Sequence, residues 1–168
     1  MDWTVAIVQW LHIAFGMFWF GAVLSTDFIF FPALATIPVS HQRDMGRAFG
    51  ERAYAILRPV ALAAIALGIL RGTLFGPIRS IDALATAYGI TWLVALVAAI
   101  GALVWTERVV APALERVNLM PEADAIGPDG RATSTLQAAI SQLRQRSRLE
   151  LGFFAVILSC MILMRFGL

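Results

Sequence analysis

The chain has 168 residues, of which 60% are hydrophobic and 14% charged, and its 13 basic and 11 acidic residues leave a net charge of +2. An average soluble domain is about 45–50% apolar and about 25% charged, so this composition excludes an ordinary soluble domain and a disordered chain. The same apolar composition excludes a nucleic-acid-binding protein, and the net charge of +2 is too small to point to one. We therefore expect an integral membrane protein whose main partner is the lipid bilayer.

Four apolar stretches are long enough to cross a bilayer, which takes about 20 residues. In chain order they cover about residues 4–31, 54–75, 85–110 and 149–166. No segment alternates with the period of a β-strand, so we predict an all-α fold, an integral membrane bundle of four transmembrane helices. The first apolar run is too long for a signal peptide and has no basic stretch before it, so we expect it to be retained. No internal repeat and no second domain is evident.

The arginines predict the orientation, because the cytoplasmic loops of membrane proteins carry the basic excess. The loops and flanks after the first and third spans hold ten of the 13 basic residues, all of them arginine, and the opposite side holds three. The ten are Arg43, Arg47, Arg52, Arg58, Arg108, Arg116, Arg131, Arg144, Arg146 and Arg148, and the three are Arg71, Arg79 and Arg165. We expect a multi-pass protein of the inner (cytoplasmic) membrane with both termini extracytoplasmic.

Two segments outside the spans are amphipathic. Residues 40–56 set apolar side chains among arginines, which predicts a helix lying on the cytoplasmic membrane surface. Residues 111–148 are predicted to form a cytoplasmic helical hairpin, with an apolar stripe of Leu136, Ile140 and Leu143. Such a hairpin suits docking of a membrane partner subunit, and a homo-oligomer is an open alternative.

One histidine lies within a span. An ionisable residue at bilayer depth is costly and is a functional hypothesis by default. His12 lies in the first span, and Gly16 and Trp19 follow on the same helical face. Imidazole is a common ligand of haem iron and of copper, and Gly16 would leave room for a flat porphyrin. The alternative is a neutral histidine that hydrogen-bonds within the bundle.

Other spans offer further ligands near the depth of His12. Met161 in the last span is expected at a similar depth and Met164 closer to the surface, and a thioether can bind Cu(I) or haem iron. Arg71, near the outer end of the second span, could pair with haem propionates. The alternatives are methionines that only pack and an arginine that extends to the headgroups. The predicted cofactor site is His12, Gly16, Trp19, Met161, Met164 and Arg71, with His12 and Met161 as metal ligands.

Small residues recur every four positions in the second span, at Ala64, Gly68, Gly72 and Gly76. This spacing is typical of close helix–helix packing. The other interpretation is that the glycines leave space for a flat cofactor.

Three acidic residues lie close to the predicted cytoplasmic boundary of the spans: Asp27, Glu107 and Glu150. Opposite charges at this depth are expected to pair, and Arg58 is the preferred partner of Asp27. Their predicted role is to fix the register of the helices.

The first span carries motifs of a known family. Trp10-Leu11-His12, Phe18-Trp19-Phe20-Gly21 and Phe31-Pro32-Ala33-Leu34 resemble the first helix of the CopD-like membrane proteins. That group includes the copper-resistance protein D domain and the HemJ-type protoporphyrinogen oxidases. The resemblance covers residues 10–34 in motif and the whole chain in hydropathy. It implies a helical membrane bundle that holds haem b or copper through His12.

Three functions follow as hypotheses. The first is a redox protein that binds haem b through His12, with Met161 or Met164 as a distal ligand. The second is a copper-handling protein that uses His12, Met161 and Met164, with Cys160 as a further candidate ligand. The third is a non-catalytic membrane subunit or scaffold that docks a partner through the hairpin.

Overall fold

Four long helices account for most of the chain. The computed structural model describes residues 2–166. The helices are α1 (Trp3–Leu34), α2 (Val39–Gly72), α3 (Ala87–Leu119) and α4 (Ser134–Arg165), and each is long and apolar enough to cross a membrane. Among residues 2–166 no β-strand forms. The prediction of an all-α chain with four potential spans is confirmed, and the chain is a multi-pass membrane protein.

The helices extend well beyond the predicted spans. The predicted span 54–75 covers only the second half of α2, which starts at Val39 and passes through Pro59 without ending. The amphipathic segment 40–56 is therefore not a separate surface helix but the first half of α2. Arginine, alanine and glutamate are good helix formers, so charged residues lower the hydropathy of this segment without ending the helix. Hydropathy alone thus locates a span but not the ends of its helix.

Helices α1 and α3 share a motif, so the prediction that the chain has no internal repeat was wrong. Each carries a threonine, an acidic residue, any four residues and then Pro-Ala-Leu, at Thr26–Leu34 and at Thr106–Leu114. A Gly-Ala pair precedes the threonine at the same distance in both helices. The matching segments indicate an internal repeat that pairs α1 with α3.

The structure gives both copies of the motif the same irregular turn. The residue before each proline donates its N–H five positions back, from Phe31 to the carbonyl of Thr26 and from Ala111 to that of Thr106, so each helix contains a π-helical turn. A proline has no N–H and cannot continue an α-helical ladder, which accounts for a break next to it. The acid of each repeat, Asp27 or Glu107, lies inside this turn.

The connections between the helices are short and ordered. A 3₁₀ turn at Asp82–Ala85 leads into α3. A one-turn helix at Glu122–Ala125 and an isolated bridge between Ile126 and Ala132 lead into α4. Gly130 closes that loop with a φ of +73°, a conformation that favours glycine.

The chain divides into two compact units, and every long helix contributes to both. The first unit comprises residues 2–21, 58–103 and 152–166, and the second comprises residues 22–57 and 104–151. The first unit buries Trp19 and Phe154, whose rings meet edge to face at 4.9 Å. It also contains His12 and the small-residue stretch of α2.

The second unit has an apolar cluster built from α3, the loop helix and α4. Ala113, Val117, Ala125, Leu136 and Leu143 are all buried in it. Ile140 packs against the cluster, so the predicted stripe at Leu136, Ile140 and Leu143 is confirmed as its α4 side.

Candidate cofactor site

The imidazole of His12 is held by the backbone of α2. Its Nδ1 lies 2.9 Å from the carbonyl oxygen of Ala64. A carbonyl oxygen only accepts hydrogen bonds, so Nδ1 carries the hydrogen and the lone pair of the neutral ring is on Nε2. Histidines that bind metals commonly donate their other N–H to a backbone carbonyl in this way, which fixes the ring and its tautomer.

Nε2 is the ring nitrogen left for a ligand. Within residues 2–166, Nδ1 is the ring nitrogen that has a hydrogen-bond partner. The side chain of His12 is half-buried, so its position suits a group that is held by the protein but still open to a bound molecule. A neutral imidazole with a free Nε2 can ligate haem iron or copper.

The small residues of α2 make room for side chains. A Cβ atom on Gly68 would lie 2.9 Å from Cε1 of His12, and one on Gly72 would overlap the indole of Trp92. Nε1 of Trp92 also donates to the carbonyl of Gly68 at 3.4 Å. The packing interpretation therefore holds for Gly68 and Gly72, and the space above them is filled by His12 and Trp92 rather than left for a flat cofactor.

The internal repeat relates these two side chains. When the motifs of α1 and α3 are aligned, Trp92 takes the place of His12. Both rings contact a carbonyl of α2, at Ala64 and at Gly68, which are one helical turn apart. The repeat therefore presents one ring from α1 and one from α3 to the same stretch of α2, and only one of the two carries a ligand atom.

Gly16 and Trp19 differ in what surrounds them. A Cβ added to Gly16 would meet no other atom within 4 Å, so there is open space one turn along α1 from His12. Trp19 is 5% exposed and packs against Phe154, which places its ring in the core of the first unit. Gly16 thus fits the predicted cofactor face, whereas the contacts of Trp19 are those of a packing residue.

Arg71 lies near His12 and is fixed by two neutral groups. Its Nε donates to Oε1 of Gln9 at 2.7 Å, and its Nη1 donates to the carbonyl of Phe75 at 2.8 Å. Gln9 was not predicted as a site residue, although its position three residues before His12 places both on one face of α1.

Met161 and Met164 are half-buried on α4, and Cys160 beside them is buried. Among residues 2–166, no group of three or more His, Cys, Asp or Glu side chains is arranged to hold a metal ion. The ligand set that the structure offers around His12 is therefore a single imidazole, with the two thioethers still predicted as distal ligands.

The predicted intramembrane acids accept hydrogen bonds from hydroxyl groups in the second unit. Asp27 is 7% exposed and Glu150 is 3% exposed. Ser147 donates to Oδ2 of Asp27 at 2.9 Å, and Thr106 donates to Oε1 of Glu150 at 2.6 Å. These bonds join α1 and α3 to α4, which agrees with a role in fixing helix register.

Glu107 accepts a hydrogen bond from the hydroxyl of Tyr54 at 2.6 Å, and this bond joins α3 to α2. Arg58 is exposed. The observed partner of Asp27 is Ser147, and its pairing with Arg58 stays a prediction. The hydroxyl donors were missed because serine, threonine and tyrosine do not stand out in an apolar helix.

Comparison with protein-family models, with curated proteins and with solved structures finds no match to this chain, so the resemblance to the CopD-like proteins stays a prediction.

Proposed function

We propose that the chain is a multi-pass inner-membrane protein that binds haem b through Nε2 of His12 and serves a redox role. The observation that carries this proposal is the hydrogen bond from Nδ1 of His12 to the carbonyl of Ala64. That bond sets the tautomer in which Nε2 is the free ligand atom, and it holds the ring in place before any cofactor binds.

A single imidazole favours haem over a bare copper ion. The porphyrin supplies four nitrogen ligands to its iron, so one protein ligand is enough to hold it, whereas copper takes most of its ligands from the protein. The open space at Gly16 supports the same choice. Haem supplies one-electron chemistry when bound.

The residues of the chain have separate roles in this proposal. The carbonyl of Ala64 orients the imidazole of His12, and Gly16 leaves one side of α1 clear beside it. Met161 or Met164 would be the distal ligand. The arginine distribution supports an orientation with both termini extracytoplasmic, which puts the His12 end of α1 on the outer side.

An absorption titration tests the proposal. The protein is purified in detergent without cofactor and titrated with haem b, beside the variants His12→Ala and His41→Ala. His41 is the second histidine of the chain and is exposed near the start of α2, so it is a matched control. We expect a saturable Soret band in the wild type and in His41→Ala, and its loss in His12→Ala.

Equal haem binding by all three proteins, or no saturable binding by any of them, would contradict the proposal. Copper content measured in parallel separates the second hypothesis. Copper that is retained by the wild type and lost in His12→Ala, without a Soret band, would replace haem by copper as the bound group.

A further inference from the structure

We infer that Gln9 and Arg71 form a binding subsite for an oxyanion beside His12, with Gln9 as the positioning residue that aims the guanidinium at a carboxylate of the cofactor. The inference rests on the proposed haem function and deepens it. Haem b carries two propionate side chains, so the chemical class in question is a carboxylate on a macrocycle.

The guanidinium of Arg71 is held in one orientation. Nε and Nη1 donate to Gln9 and to the carbonyl of Phe75, at 2.7 Å and 2.8 Å. A guanidinium has five N–H donors in a fixed plane, so these two bonds fix the plane and leave further donors free. Because both acceptors are neutral, neither removes the positive charge.

Within residues 2–166, no carboxylate compensates that charge. In the first unit the acids within the described ranges are Asp2 and Asp82. Across residues 2–166, no carboxylate lies within ion-pair distance of Arg71. Arg71 is half-buried in the last turn of α2, where its bonds to Gln9 and Phe75 hold the guanidinium against the protein, and a half-buried cation without a counter-charge favours an anionic partner.

The imidazole of His12 and the Gln9–Arg71 pair lie next to each other. Gln9 is one turn before His12 on α1, and Arg71 follows Gly68, whose backbone borders the imidazole, on α2. A ligand held by Nε2 of His12 therefore has a fixed guanidinium nearby. A copper ion has no group that could accept a hydrogen bond from that guanidinium, whereas haem b offers a propionate. A lipid phosphate offers the same chemistry from another source.

The test compares haem b with its dimethyl ester, in which both carboxylates are blocked. Dissociation constants are measured in detergent for the wild type, Arg71→Gln, Gln9→Leu and Arg79→Gln. Arg79 is an exposed arginine beyond the end of α2 and is the matched control. A hydrogen bond to a charged group contributes enough for the wild type to prefer haem over the ester by about tenfold or more.

We expect that preference to fall to about one in Arg71→Gln and to persist in Arg79→Gln. Gln9→Leu is the sharper variant, because it removes the acceptor that orients Nε of Arg71 and leaves the charge of Arg71 in place. A merely structural role for Gln9 predicts that Gln9→Leu weakens the binding of haem and of the ester equally and leaves the preference unchanged, whereas a positioning role predicts that the preference falls.

The same preference in all four proteins would overturn the inference while leaving His12-dependent haem binding intact. Absence of haem binding in the wild type would overturn the proposed function and this inference together. Repeating the titration in a phosphate-free maltoside detergent and in nanodiscs of phosphatidylglycerol separates the two oxyanions. A preference for haem that is present in the detergent and absent in the nanodiscs would assign Arg71 to lipid phosphate and overturn the assignment to the cofactor.

Discussion

Replacing Gly68 by alanine should destabilise the protein through the imidazole of His12. The new Cβ would lie 2.9 Å from Cε1 and 3.4 Å from Nδ1 of that ring. Carbon atoms in contact prefer about 3.5–4.0 Å, so the ring has to retreat by about 0.5–1 Å. That movement lengthens its 2.9 Å bond to the carbonyl of Ala64, which is the bond that orients the ligand.

The size of the expected destabilisation follows from two costs and one gain. Overpacking of this kind costs about 1–3 kcal/mol, and a weakened hydrogen bond costs about 0.5–1.5 kcal/mol. Alanine in place of a helical glycine returns about 1 kcal/mol. The net expectation for Gly68→Ala is a loss of about 0.5–3.5 kcal/mol in the free energy of unfolding, together with weaker haem binding.

The assay is thermal unfolding of the cofactor-free protein in one detergent, followed by circular dichroism. Gly21→Ala is the matched control, because Gly21 is also a glycine inside a long helix, in α1, and a Cβ there meets no atom within 4 Å. We expect Gly68→Ala to lower the midpoint and Gly21→Ala to leave it unchanged or to raise it. In a His12→Ala background the effect of Gly68→Ala should disappear, since the ring that it strikes is gone. An equal midpoint for the two glycine variants, or a loss that persists without the imidazole, would refute this reasoning.

Two further stability predictions use the same assay. Ser147→Ala removes the hydroxyl that donates to the buried carboxylate of Asp27 and should lower the free energy of unfolding by about 1–3 kcal/mol. The control Ser159→Ala, at an exposed serine on the same helix, should lower it little. Equal unfolding midpoints for the two variants would show that the buried hydrogen bond contributes nothing. Gly89→Ala would bring a Cβ against backbone atoms of the turn before α3, and backbone atoms cannot move aside as a side chain can. The unfolding midpoint of Gly89→Ala should therefore fall well below that of the control Gly152→Ala, where a Cβ meets no atom within 4 Å. A normal midpoint for Gly89→Ala would mean that the turn rearranges freely.

The four spans could be predicted because the hydropathy of a membrane helix is a property of the residues themselves. The start of α2 at Val39 could not, because an arginine-rich helix that leaves the apolar zone has no apolar signal. Gly68 and Gly72 were recognised by their spacing, but the spacing does not say which side chain fills the gap. The rings of His12 and Trp92 fill the space beside Gly68 and Gly72 because of how three helices pack, which a single helix does not reveal.

The internal repeat shows a different limit. Only short motifs around Pro32 and Pro112 match, and they become convincing when the structure shows the same π-helical turn in both helices. The candidate site was found from His12 because histidine is rare in a span. Gln9 was missed because an uncharged amide near a helix end carries no distinctive signal until its bond to Arg71 is seen.

The most direct test of the central claim is chemical rescue of a His12→Gly variant. Removing the imidazole leaves a cavity beside Gly68, and free imidazole added together with haem b can occupy it and ligate the iron. The proposal predicts that the variant has lost the wild-type Soret band and that added imidazole restores it, whereas wild type and His41→Gly do not respond. A variant that keeps the wild-type spectrum without imidazole would contradict the assignment of His12 as the haem ligand.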